Sequence, residues 1–218
     1  MTGLSSPLLA YTGPVITAEP RLTKKGRATR DRIVEAAAGL VLEHGVQGMT
    51  NVQLRKLTGV SGSQLNHYFP DKQSLIAAVI DWRVQAVMDF TQLAAEGGLD
   101  TFDGLRAWVD AYLDREDACV SGCSFGSLAG EIMKTDRGLR GRLADGFDRW
   151  QELFRAGLRS MRDQGELDER ADPEALANVL MAAFQGGMLI SHASADPAPI
   201  RDALNGALSY LETFRRTA

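Results

Sequence analysis

The side chains most able to do chemistry in this 218-residue chain gather between Ser61 and Lys72. Ser61 can cap a short helix, which leaves Gly62, Ser63 and Gln64 at its amino-terminal end. Unpaired backbone N–H groups and the positive end of the helix dipole favour a phosphate there. Gln64 carries the amide that pairs bidentately with adenine in the major groove, and Asn66 is a second such amide. His67 can meet a phosphate or pack inward. This is the chemistry of reading a polymer surface rather than of breaking bonds.

Bond-breaking chemistry finds little support elsewhere. The only histidines are His44, His67 and His192, and no phosphate-binding loop, H-E-x-x-H or G-x-G-x-x-G occurs. Gly122-Cys123-Ser124-Phe125-Gly126 has the letters of a nucleophile elbow. That motif needs a strand before the serine and a sheet beneath it, and neither is legible here. Cys119 and Cys123 stand four apart, and each reads first as a small buried hydrophobe. A thiol sensing oxidants or electrophiles is the alternative, because Gly122-Cys123 falls at a helix start, where a thiolate is stabilised. No histidine or second cysteine pair completes a metal ligand set. The sequence therefore predicts no enzyme, no metal and no cofactor.

The elements needed to hold the Ser61–Lys72 stretch are helices. Ile33, Ala36, Ala37, Leu40 and Val41 form an amphipathic stripe that ends at Gly45. Thr50 caps a short helix with Val52, Leu54 and Leu57, and Gly59 breaks it. Two short helices around a glycine turn form a helix-turn-helix, with Thr50–Thr58 lying across the DNA backbone and the second helix entering the groove. Asp71 caps a long helix from Lys72 into the nineties. Further helices follow Asp100-Thr101, Gly122, Asp136, Asp172-Pro173 and Asp196-Pro197. The fold class is all-α, about nine helices, with a three-helix head joined by the long helix to a larger bundle. The domain division is a tail over 1–22 read as disordered, a DNA-binding head over 23–72, and a ligand-binding and dimerisation body over 73–218.

Charge divides along the same boundary. Between Arg21 and Lys72 nine basic residues face four acidic ones, a net +5, whereas the whole chain carries −4. A basic head on an acidic body suits a chain that meets phosphates at one end. No apolar run approaches the roughly 20 residues needed to span a bilayer, and no secretory signal is recognisable. Two cysteines suit a reducing cytoplasm. In the body, Trp108, Tyr112, Phe125, Trp150, Phe154, Phe184 and Met188, with Cys123, Gln185 and His192 as polar companions, have the composition of an apolar ligand pocket. Plain core is the other reading of the same spacing. Ala182, Ala183, Gly186 and Gly187 let another helix approach closely, within the chain or from a second copy.

Thr29-Arg30-Asp31-Arg32-Ile33, Ala36-Ala37, Gly45, Thr50, Gly59-Val60-Ser61, Leu65 and His67-Tyr68-Phe69-Pro70-Asp71-Lys72 agree in order and spacing with one family. Over about Thr29 to Ile80 the chain resembles the TetR family of bacterial transcription regulators. The resemblance implies phosphate contacts from Tyr68 and Lys72, and a groove-facing set of Gly62 to Gln64, Asn66 and His67. It implies a basic arm at Lys24-Lys25-Gly26-Arg27, a core role for Phe69, and a homodimer formed by the last two helices. It also implies double-stranded operator DNA and a small-molecule effector as partners, and a repressor released by that effector. A dimeric ligand-binding module that has lost DNA is the rival. Three positions depart from the family habit: Ser63, where glycine is common; Asn66, where an aromatic is common; and Arg55, where a small residue faces the turn.

Overall fold

The computed structural model describes residues 22–95, 97–115 and 121–216. The tail up to residue 21 and Cys119 lie outside the described residues. Among these residues the chain forms nine α-helices and no strand, only an isolated bridge between Leu167 and Arg215. The helices are α1 (Lys24–Gly48), α2 (Asn51–Thr58), α3 (Gly62–Tyr68), α4 (Lys72–Ala94), α5 (Phe102–Leu113), α6 (Ser124–Thr135), α7 (Arg140–Asp163), α8 (Pro173–Ser194) and α9 (Ala198–Glu212). The all-α reading holds. A 3₁₀ turn, Arg137–Leu139, leads into α7.

The starts are set by side chains where the sequence predicts them. Thr50, Ser61 and Asp71 each accept the N3 backbone N–H of the helix they open, and each is answered by its N3 side chain in a reciprocal capping box. Asp172 accepts from Glu174 N at 3.0 Å, with Pro173 at the first helical position. Gly59 closes α2 at a φ of 69°, where other residues are strained.

The head encloses a small core. Ile33, Ala37, Val41, Leu54, Val60, Leu65 and Phe69 are buried together with Leu75, Ile76 and Val79 from the start of α4. Farther along, α4 changes company. Val84 and Thr91 are buried in the body, where the Trp150 indole N–H donates to Thr91 Oγ1 at 2.9 Å. Arg83, midway, donates to the Ala38 carbonyl at 2.8 Å and so ties α4 back to α1.

In the body, α8 runs between α7 and α9. By length and composition it could cross a membrane, yet its inner face, with Leu176, Leu180, Phe184 and Met188, is buried in the bundle. Its close approach to α9 explains one of the predicted small residues. A Cβ on Gly187 would stand 2.8 Å from the Ile200 Cα, so Gly187 serves packing inside the chain. Gly39, on the open side of α1, has nothing near its missing Cβ. Gly187→Ala should therefore lower stability by about 1–3 kcal/mol through overpacking, and Gly39→Ala should raise it by about 0.5–1 kcal/mol. Urea unfolding midpoints of the two variants check this, and shifts of the same sign would contradict it.

Candidate nucleic-acid interface and the cleft behind it

Helix α3 has two sides. Leu65 and Phe69 anchor it in the head core, whereas Ser63, Gln64, Asn66 and His67 are exposed. Tyr68 is half-buried, and its ring meets His67 edge-on with centroids 5.2 Å apart. The first turn is more internally occupied than its sequence suggests. Gln64 Oε1 accepts from Ser61 N at 2.9 Å, and the Ser61 and Ser63 hydroxyls lie 2.9 Å apart. The Gln64 side chain is thus folded back over its own helix start, and its NH₂ is what remains for a partner. Gln53 does the same for Thr50, whose hydroxyl donates to Gln53 Oε1 at 2.6 Å.

The basic residues flank this surface. Lys72 Nζ donates to the Met49 carbonyl at 3.2 Å, which places the ammonium beside the start of α2. Lys24, Lys25 and Arg27 of the expected basic arm form the exposed first turn of α1, because Thr23 caps the helix through Gly26 N at 3.1 Å. Arg27 also donates to the Leu22 carbonyl at 2.7 Å. With no acidic residue in that turn, two lysines oppose the positive end of the helix dipole. An anion at the helix end would relieve that repulsion.

The predicted effector residues separate into two groups. Trp108, Tyr112, Phe125, Trp150, Phe154 and Phe184 are buried; five pack on one another, and Phe125 packs on Phe147 instead. Trp108 meets Phe154 edge-on at 4.8 Å between centroids, and Tyr112 meets Phe184 at 4.7 Å. None of these six lines the cleft that the other four share. Cys123, Gln185, Met188 and His192 stand together in the wall of a cleft of about 560 Å³ between α6 and α8, with Glu131 and Lys134.

Glu131 is the residue sequence reading missed. Its carboxylate reaches past the cleft wall and accepts the Val46 N–H of the head at 2.7 Å, from 85 residues away. Val46 presents that N–H because α1 is kinked at Gly45, whose φ of 72° interrupts the helical ladder. A Cβ on Gly45 would stand 3.1 Å from Glu131 Oε1. Ser127 and Glu131 line both the cleft and a smaller gap of about 140 Å³ against Val41, Leu42 and Gly45. Cavity and head therefore share a wall.

Cys123 caps α6, its sulfur accepting from Gly126 N at 3.3 Å and from the Gln185 amide at 3.5 Å. Burial pushes its thiol up, against the pull of those donors and of Arg83. Among the described residues no strand precedes Gly122, which leads directly into the α6 cap. No group of three or more candidate metal ligands occurs among the described residues.

Comparison with known proteins agrees with this arrangement. Residues 33–79 match the family model for bacterial regulatory proteins of the tetR family, and residues 101–207 match the tetracyclin repressor-like C-terminal domain. The chain is 25% identical over 179 residues to the HTH-type transcriptional repressor NemR of Escherichia coli K12, covering 81% of this chain and 90% of that one. A TetR transcriptional regulator from Chloroflexus aurantiacus superposes with a TM-score of 0.76 at 24% identity, covering 90% of this chain and all of the other. A TetR-family regulator from Cytophaga hutchinsonii gives 0.79 at 17% identity, covering 91% and 100%.

The buried cap makes a kinetic prediction about Cys123. In a Cys119→Ser background at neutral pH, alkylation by iodoacetamide should be at least about tenfold slower in the native protein than in urea, because the thiolate is scarce and shielded. Equal rates would mean an open, activated thiol.

Proposed function

The chain belongs to the TetR family of bacterial regulatory proteins, and on that premise we propose that it is a dimeric cytoplasmic repressor whose hold on operator DNA is released by a small lipophilic effector. The observation that carries the ligand-responsive part of this reading is the Glu131 carboxylate, which lines the α6–α8 cleft and holds the Val46 N–H of the head. A molecule in the cleft that shifts Glu131 must alter how the head is seated. It changes DNA affinity only by favouring one of the two seatings. The cleft volume of about 560 Å³ suits a small organic molecule. Met188 and Leu189 supply apolar contact, and Gln185 and Glu131 supply polar ends.

On the DNA side, Ser63, Asn66 and His67 face base edges, with the remaining NH₂ of Gln64 beside them. Gly62 lets the backbone of α3 approach. Tyr68, Lys72, Thr50 and the first turn of α1 meet phosphates, which fix register without reading sequence. Two heads must reach half-sites about 34 Å apart, which requires a dimer. The outer faces of α8 and α9 suit that role. Leu189 and Ile190 are 69% and 56% exposed, and Gly186 and Gly206 leave open space for another helix.

Three outcomes test the reading. Wild type should bind a palindromic site saturably, and Lys72→Ala should weaken binding across sequences while reducing the salt slope by about one phosphate contact. Ile190→Asp should dissociate the dimer in sedimentation and abolish operator binding. Glu131→Ala should weaken the operator complex by about tenfold to a hundredfold, the worth of one charge-assisted hydrogen bond, and Glu131→Gln, which keeps an acceptor, should restore most of it. Unchanged affinity in Glu131→Ala, measured by anisotropy at fixed salt, would remove this contact from the coupling.

A further inference from the structure

We propose that Arg55, on the helix preceding α3, is a base-reading residue that selects a guanine in each operator half-site. This rests on the DNA-binding reading above and adds to it a specificity determinant outside the recognition helix. Three observations point to it. The first turn of α3 has little reach of its own. Gly62 has no side chain, the Ser63 hydroxyl is shared with Ser61, and the Gln64 carbonyl is held by the Ser61 N–H. Arg55 fills that gap. Its guanidinium crosses α3 at Gly62, where a Cβ would lie 3.8 Å from Nη1 and 3.9 Å from Cζ. These are ordinary van der Waals distances, so the guanidinium rests alongside the first turn of α3.

The guanidinium is also uncommitted. Arg55 is exposed and makes no hydrogen bond or ion pair through its side chain with any described residue. Other arginines in the chain are spent internally: Arg27 on the Leu22 carbonyl, Arg83 on Ala38, Arg142 on Asp81. An arginine held at the amino-terminal end of a helix that enters the major groove presents a planar fork. That fork matches the two acceptors of guanine, N7 and O6, and no other base offers this pair. Val52, one helical turn earlier on the same face of α2 and 74% exposed, leaves an apolar flank beside it. A phosphate contact would need only charge, which lysine supplies equally. A guanine contact needs the fork.

The test is selection from a randomised DNA pool with the full-length protein, comparing wild type with Arg55→Ala and Arg55→Lys, each first confirmed as a folded dimer. Wild type should select a palindrome with guanine at one symmetric position per half-site. Both variants should lose the preference at that position alone and bind the wild-type consensus about tenfold to a hundredfold more weakly, while Arg55→Lys keeps the wild-type salt slope. Selection of an unchanged consensus by either variant would overturn the proposal, as would full affinity in Arg55→Lys, which would make the contact one of charge. Failure of wild type to select any sequence would instead defeat the DNA-binding reading itself, and the Arg55 proposal with it.

Discussion

One helix has to be buried twice. The first turns of α4 close the head core with Leu75, Ile76 and Val79, and its later turns enter the body with Val84 and Thr91. A continuous helix transmits displacement along its length because its hydrogen-bond ladder resists bending. Arg83 fixes α4 to α1 at the crossover point, and Trp150 fixes it to α7 through Thr91. The two halves therefore cannot move independently without breaking buried contacts. The cores of head and body thus share one member.

Beside that stiff member, a hydrogen bond from the Val46 N–H to Glu131 joins the kink at Gly45 to the cleft wall. A charge-assisted bond of this kind contributes about 1.5–3 kcal/mol, close to the coupling free energies of about 1–3 kcal/mol that link binding sites in regulated proteins. A rigid seam would transmit nothing selectively, and an empty one would not transmit at all. In the proposed repressor, the α1–α6 seam would set the size of the coupling, and α4 would carry the change to α2 and α3.

Local chemistry was legible in the sequence, and long-range pairing was not. Thr50, Ser61, Asp71 and Asp172 could be read as caps because a cap depends on a residue and its neighbours three positions on. The core of the head could be read from Ile33, Ala37 and Leu65 for the same reason. Lys24-Lys25-Gly26-Arg27 entered only as a basic arm implied by the resemblance, and the Thr23 cap that sets it in the first turn of α1 went unread. The aromatic residues of the body could not be divided between core and cavity, since helical spacing puts both on an inward face. Glu131 was invisible as a link, being one of many carboxylates on polar faces until the fold sets it against Val46. Gly186 and Gly187 looked alike, yet only the second is pressed against Ile200.

The two capping boxes at the DNA end close with glutamine, Gln53 and Gln64, rather than with glutamate. Glutamate would close the same box and would suit the helix dipole better. It would also place two negative charges on each head, where the chain must lie against a polyanion. The neutral amide gives up some folding stability and keeps the surface free of repulsion. The head is thus poised between competing demands, so a search for hardier variants that rewards thermal resistance alone will tend to find carboxylates at these positions and recover proteins that endure heat but have lost their grip.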